Sequence, residues 1–263
     1  MFSASSRSSE VPDPDGRLPR VAEGSTPEEL GLKLAIMQPY FLPYIGYFQL
    51  IAAVDIFVVY DRIKYTKKGW INRNRLLRDG ADATFSLPLK SDSDALDIVD
   101  RRLAANFDRR GLLNQFRGAY ARAPQFDQCF PLLERIVRFE DDNLFAYLHH
   151  SIVEICAHLG LSTGIRVSST IDVEAPLKGQ DKVLSLCRAL QADTYINPSG
   201  GTELYSREAF ADQGVSLRFL RALPSEYAQF GKPFVPWLSI VDVLMFNPLE
   251  RVRERVVNHY ELF

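Results

Sequence analysis

Apolar and polar positions along the chain switch between a period of two and a period of 3.6. Residues 32–38, Leu-Lys-Leu-Ala-Ile-Met-Gln, form a short apolar run before Pro39. Proline holds its predecessor extended, so this is a buried strand with Gln38 at its carboxyl end. A turn over 40–43 leads into 44–53, apolar around most of a helical surface, and Asp55 opens the next strand, 56–60. Asp61 closes that strand. Asp79-Gly80 marks a tight turn between a basic segment, 62–78, and a strand over 83–89. Helical spacing then takes over, with helices at 110–122, 130–139 and 143–158, the last ending at Gly160. Alternation returns with strand 164–168, helix 180–190, strand 194–196, helix 203–213 closing at Gly214, strand 215–220 and helix 235–246. Repeated βα alternation predicts an α/β fold: a mostly parallel sheet with flanking helices and a helical insertion at about 109–160. The domain expected is a single one, 32–263, behind a disordered N-terminal extension, 1–31.

Composition changes this picture mainly at the amino end. The first thirty residues carry six Ser, four Pro and charges of both signs, without an apolar run that would make a signal-peptide core. Glu10, Asp13 and Asp15 also disagree with an acid-poor transit peptide. Of the 263 residues 46% are apolar, enough for a sizeable core. Lys+Arg 31 against Asp+Glu 33 leaves a net charge of −2, so any attraction to nucleic acid or anionic lipid has to be local. The richest apolar stretch, 234–246, falls short of the roughly 18 residues of a membrane span and contains Asp242, so no membrane insertion is expected. Cys129, Cys156 and Cys187 are odd in number and widely spaced, which fits neither a disulfide framework nor a Cys-x-x-Cys site; a reducing, cytoplasmic setting is expected.

Ligands of parallel sheets gather at the carboxyl ends of the strands, which singles out Gln38, Asp61, Ser168, Ser169 and Asn197. Loops meet water in any fold, so polarity there also has a plain explanation. Residues 61–75 are denser in chemistry: Lys64, Lys67, Lys68, Arg73 and Arg75 lie beside Tyr65 and Trp70. Guanidinium forks grip phosphate and aromatic faces stack on a base, the needs of a nucleotide-linked ligand. If 70–75 is extended, Asn72 and Asn74 share one face and Arg73 and Arg75 the other. A solvated cationic hairpin is the competing reading. Asn197-Pro-Ser199-Gly200-Gly201 links a strand to a helix, where backbone N–H groups cradle anions, though it has neither dinucleotide nor P-loop spacing and a plain turn fits equally well. His150, Glu154 and His158 align on one helical face but depart from the His-Glu-x-x-His zinc pattern, and no metal is expected. Asp242, three residues after Ser239 in an apolar helix, anchors a loop or faces a site, with anchoring favoured. No Gly-x-Ser-x-Gly elbow points to a covalent nucleophile.

Met37-Gln-Pro-Tyr-Phe-Leu-Pro-Tyr-Ile-Gly-Tyr-Phe-Gln49, Asp55-Ile-Phe-Val-Val-Tyr-Asp61 and Gly69-Trp-Ile-Asn-Arg-Asn-Arg75 resemble the signature of the WbqC-like family. Ala192-Asp-Thr-Tyr195, the following Gly-Gly with Tyr205, and Leu238-Ser-Ile-Val-Asp242 agree, so the resemblance runs from about Lys33 to Pro248. It implies an N-(amino)acyltransferase of surface-polysaccharide (O-antigen) biosynthesis, attaching a glycyl-type group to the amine of a nucleotide-linked 4-amino-4,6-dideoxy sugar. On that footing Asp61 is the expected general base, with Asp55 second. Asn72, Asn74 and Gln38 would orient the sugar or meet the oxyanion. Arg73, Arg75 and Lys67 would hold diphosphate, Trp70 or Tyr65 would stack on the base, and Tyr40, Ser168, Ser169, Asn197, Ser199, Gly200, Gly201 and Tyr205 would complete the substrate contacts. No tightly bound cofactor is expected. The acyl donor stays open among a carrier protein, coenzyme A, an aminoacyl-tRNA and an ATP-activated amino acid, as does the oligomeric state. The alternative is a noncatalytic module that binds a nucleotide sugar or a partner protein.

Overall fold

The structure is a computed structural model that describes residues 31–93, 95–173, 177–231 and 233–263. The expected N-terminal extension lies, apart from Gly31, outside the described residues.

β1 (Lys33–Met37), α1 (Ile45–Ala52) and β2 (Ile56–Val59) form the opening β-α-β unit. β3 (Arg73–Arg78) and β4 (Ala81–Ser86) pair as a separate antiparallel hairpin. Its turn residues Asp79 and Gly80 both take positive φ, 51° and 78°, the handedness that matches strand twist in two-residue hairpins. α2 (Arg109–Tyr120), α3 (Phe126–Val137) and α4 (Leu144–Leu159) follow. The rest of the chain is β5 (Gly164–Val167), α5 (Gly179–Ala189), β6 (Thr194–Pro198), α6 (Arg207–Ala211), β7 (Ser216–Ala222), α7 (Ile240–Phe246), α8 (Leu249–Asn258) and β8 (Tyr260–Leu262).

The main sheet runs β5-β2-β1-β6-β7-β8, parallel except for β8 against β7. Both faces of its central strands are buried, which is why their sequences read as continuous apolar runs. Ala35, Phe57, Val59, Ile196 and Leu220 point into one core. Leu34, Ile36, Val58, Tyr195, Leu217 and Phe219, offset by one position, point into the other. The larger core also takes in the hairpin and α2–α4 through edge-on rings: Phe41 to Phe85 at 5.8 Å, Phe85 to Phe116 at 5.0 Å and Phe41 to Tyr147 at 5.9 Å. The helical insertion therefore shares its core with the sheet. Strands are added on one side of β1 and then, from β6 onward, on the other. The order thus reverses between β1 and β6, the topological switch point at which doubly wound sheets open a crevice.

Two helices of the second half differ from expectation, and two elements are additional. The helix expected over 203–213 is a 3-10 turn, Ser199–Leu204, followed by the short α6, because Ser206 caps a new start by accepting the Ala209 N–H at 3.2 Å. The helix expected from 235 begins at Ile240: Trp237 has φ +60°, and Ser239 caps α7 by accepting the Val241 N–H at 3.2 Å. α8 and β8 have no counterpart in the sequence reading.

Candidate functional site

A cleft of about 910 Å³ opens at the carboxyl ends of β1, β2 and β6, at the switch point. Gln38 follows β1. Its backbone carbonyl accepts the Tyr47 hydroxyl at 2.9 Å, and its side-chain oxygen accepts the Tyr40 hydroxyl at 3.2 Å. Tyr60 follows β2, and the Lys182 ammonium of α5 lies 4.8 Å from its ring centre. Lys178, at the N-cap of α5, is four residues from Lys182, so one helix end presents both cations. Arg62 and Lys64 come from the basic segment. An isolated antiparallel bridge pairs Lys64 with Asp97, which brings a carboxylate to the same wall. Among the described residues, none of Arg62, Lys64, Lys178 and Lys182 makes an ion pair. Among the described residues the lining thus holds four cations and one acid, Asp97. Burial pushes the Tyr40 and Tyr60 hydroxyls above their ordinary range, so both stay protonated, and the Tyr40 proton is the one donated to Gln38.

The β6 end supplies Asn197, Gly200, Gly201 and Tyr205. Asn197 is locally satisfied: it accepts the Tyr195 hydroxyl at 3.1 Å and donates to the Pro198 carbonyl at 3.0 Å. A Cβ at Gly201 would collide with the Asn197 amide, whereas Gly200 has open space, so close packing demands glycine at 201 alone. Ser199 begins the 3-10 turn and is not part of the cleft lining.

Asp61, Ser168 and Ser169 are drawn together across the β2–β5 edge. Asp61 is 2% exposed; its Oδ1 accepts the Ser168 hydroxyl at 2.6 Å and the Ser169 N–H at 3.0 Å. Burial by itself raises the Asp61 pKa, but these hydrogen bonds outweigh it and hold the carboxyl below its ordinary value. The group is a weak base behind the wall of the cleft. Asp55 sits at the opposite, amino end of the sheet, where its carboxylate accepts the Lys33 N–H at 2.8 Å.

The basic segment divides differently from its period-two reading, because β3 begins only at Arg73. Arg73 donates to the Gly69 and Lys68 carbonyls at 3.0 and 2.8 Å. Arg75 donates to Asp82 at 3.3 Å and to the Trp237 carbonyl at 3.0 Å. Both guanidinium groups, expected on phosphate, are engaged within the protein. Tyr65 donates to Asn72 at 2.8 Å and lies under the Arg101 guanidinium at 4.3 Å, while Asn72 donates to the Leu87 carbonyl at 2.7 Å. Asn74 is buried and donates to the Phe41 and Leu42 carbonyls at 3.3 and 2.9 Å, fixing the loop before α1. Lys67 lines neither the cleft nor the smaller pocket at Trp70.

Elsewhere the polar groups are structural. His150 stacks on Phe139 at 4.1 Å and Glu154 pairs with Arg135 at 3.0 Å. The thiols of Cys129, Cys156 and Cys187 are buried and pushed up to about 12. Asp242, fully buried, accepts the Tyr120 hydroxyl at 2.9 Å, the Tyr227 hydroxyl at 2.6 Å and the Gln229 amide at 2.8 Å, which anchors the loop before α7. No helix among the described residues is long and apolar enough to cross a membrane. Tyr60, Arg62, Asp97, Lys178 and Lys182 were not singled out by the sequence; the i, i+4 lysines were its one visible signal.

Residues 38–254 match the sequence profile of the WbqC-like protein family. The chain is also similar to the uncharacterized protein Rv1507c of Mycobacterium tuberculosis, with 27% identity over 218 residues that cover 82% of this chain and 93% of that protein.

Proposed function

The chain belongs to the WbqC-like protein family, and on that premise we propose that it is an N-(amino)acyltransferase acting on a nucleotide-linked 4-amino-4,6-dideoxy sugar. One observation carries the reading: the cleft presents four cations without ion-pair partners among the described residues and a single carboxylate. That pattern complements a ligand with a diphosphate and one ammonium group. Arg62, Lys64, Lys178 and Lys182 take the phosphate oxygens, in place of Arg73, Arg75 and Lys67. Tyr60 and Tyr205 offer faces to the nucleoside. Asp97, in place of Asp61 or Asp55, pairs with the sugar ammonium and takes its proton, freeing the amine lone pair. The amine attacks the activated acyl carbonyl, the N–C bond forms, and the leaving group departs with the electron pair of its broken bond and takes up the second nitrogen proton, which leaves a neutral amide. The Gln38 amide, whose oxygen accepts the Tyr40 hydroxyl, is the donor proposed for the developing oxyanion. The glycyl identity of the acyl group follows the family resemblance.

The test is calorimetric titration with a nucleotide-linked 4-amino sugar and its 4-hydroxy counterpart, followed by mass spectrometry of reactions with acyl donors. We expect the amino sugar to bind about tenfold tighter, as one charge-assisted contact of about 1.4 kcal/mol implies, and Asp97→Asn to erase that preference while leaving the hydroxy sugar unaffected. Equal binding of the two sugars together with no acylated product overturns the proposal. A noncatalytic binding module is favoured by the engagement of Asp61 and the burial of all three thiols. Saturable binding of the amino sugar without product from any donor establishes that reading.

A further inference from the structure

Next to the cleft lies a smaller pocket of about 230 Å³ whose walls include Tyr40, Tyr44, Trp70, Arg75 and Trp237. We propose that this slot binds the adenine ring of the acyl donor. Adenosine is common to coenzyme A, the 3′ end of an aminoacyl-tRNA and an aminoacyl adenylate. The inference rests on the transferase reading and names its second substrate class.

Four observations converge on a flat, uncharged ring joined to an anionic group. The first is exposure: Trp70 and Trp237 are 44% and 60% accessible, among the largest apolar side chains left in water, and they face the same pocket. Aromatic surface displayed on a fixed rim marks a contact site.

The second is that the rim is held rigid at a cost. Arg75 ties the two residues together, since its guanidinium lies 5.4 Å from the Trp70 ring centre and donates to the Trp237 backbone carbonyl at 3.0 Å, while the Trp237 ring meets Tyr44 edge-on at 6.1 Å. Trp237 has φ +60° and Leu42, between Tyr40 and Tyr44, has φ +45°. A bulky residue in that region costs on the order of 1–3 kcal/mol. Asn74 holds the Leu42 carbonyl at 2.9 Å and the Ser239 hydroxyl holds it at 2.7 Å, so both strained segments are clamped together. The two strained segments are joined in the core, where Leu42 and Ser239 are fully buried, and this fixed base holds the rim of the slot ready for a ligand.

The third is size. Drug-sized ligands fill pockets of roughly 300–1,000 Å³, a range that includes the cleft but lies above the slot, which has room for one ring system. The acceptor has its own aromatic walls in the cleft and does not need the slot.

The fourth is charge. Arg73 and Arg75 lie 5.8 and 5.4 Å from the Trp70 ring centre, so cations already engage the electron-rich indole. A cationic guest is repelled there, while a neutral base carrying phosphate is favoured, and stacking is worth about 1–3 kcal/mol per base. Tyr40 walls both the slot and the cleft, so the two sites adjoin there.

The chain's two tryptophans are the two in the slot, so its intrinsic fluorescence reads this pocket directly. Adenosine monophosphate titrated into the full chain should quench that emission saturably. Trp237→Ala should weaken binding at least fivefold, measured by calorimetry, with an unchanged thermal midpoint because the ring is exposed; Trp70→Phe should weaken it less. Coenzyme A, a CCA-ended oligonucleotide and a non-hydrolysable aminoacyl adenylate then distinguish the sources, the true donor quenching at the lowest concentration. If none of these quenches while an amino-sugar nucleotide still raises the thermal midpoint, the slot proposal is overturned and the transferase reading stands. Quenching by the amino-sugar nucleotide that persists in excess adenosine monophosphate also overturns it, by assigning the slot to the acceptor's base. Quenching by adenosine monophosphate in a protein that fails to bind any amino-sugar nucleotide supports an adenosine site and overturns the transferase reading instead.

Discussion

The Asp242 cluster and the cleft are both rich in polar side chains, yet they are opposites. At Asp242 both carboxylate oxygens are met by Tyr120, Tyr227 and Gln229, and the Tyr120 hydroxyl in turn accepts the Leu77 N–H at 2.9 Å. Every partner is internal and the network is closed. In the cleft, four cations converge on open space with no ion pair among the described residues. A charge whose partners are all inside the protein serves the fold; a charge kept apart from partners serves something that arrives later. By that criterion Asp61 belongs with Asp242, and Asp97 with the lysines.

The comparison is broken most directly by Asp242→Ala. It leaves the buried Tyr120 hydroxyl and the half-buried Tyr227 hydroxyl and Gln229 amide unpaired, at about 1–3 kcal/mol each and not fully additive. The expected loss is about 3 kcal/mol or more in urea unfolding, and a loss below about 1 kcal/mol would show the network to be dispensable. Ser168→Ala removes a bond to the Asp61 carboxylate and should cost about 1.5–3 kcal/mol at neutral pH. The sign of its pH dependence follows from the lowered Asp61 pKa: the stabilisation is present above the ordinary carboxylate range and is lost as pH falls through the folded value, so the gap between mutant and wild type should shrink in acid. Asp242 runs the other way. Burial, only partly offset by Tyr227, Gln229 and Tyr120, raises its pKa, so its contribution is full below the ordinary range and is lost as pH rises through the folded value. The smallest effect on the fold is expected from Lys178→Ala/Lys182→Ala, within about 0.5 kcal/mol of wild type in unfolding. The same double variant should lose at least tenfold in affinity for nucleotide diphosphates, measured by calorimetry; unchanged affinity would place the cleft with the closed networks.

The fold was more legible in the sequence than the site, for a physical reason. Strands buried on both faces announce themselves as apolar runs, so β1, β2 and β7 were readable, and Gly160, with φ +68°, was readable as the stop of α4. The late start of α7 was overlooked in a stretch, 234–246, that is mostly apolar, although Pro236 and Ser239 mark the boundary in the sequence and Trp237 takes a strained backbone there. α8, with Val252 and Val256 buried at helical spacing, was overlooked although its pattern is present. Gln38, Tyr40, Asn197, Gly200, Gly201 and Tyr205, which line the cleft, were legible as candidates because strand ends are local features. Lys178, Lys182 and Asp97 were not, because they reach the cleft through the β2-β1-β6 neighbourhood, which no stretch of sequence displays. The density of charge at 61–75 misled for the complementary reason: Arg73 and Arg75 look available until the carbonyls that they bind are folded against them.

The switch point between β1 and β6 also constrains the order in which the molecule assembles. The Leu32 N–H donates to Asp193 across 161 residues of chain, and the cleft lies on that seam. The β3–β4 hairpin and the helices that follow it close mostly short loops, whereas the seam bears the loop-closure entropy of more than half the polypeptide. The cleft therefore exists only once β6 has paired with β1, because its walls come from both sides of that seam.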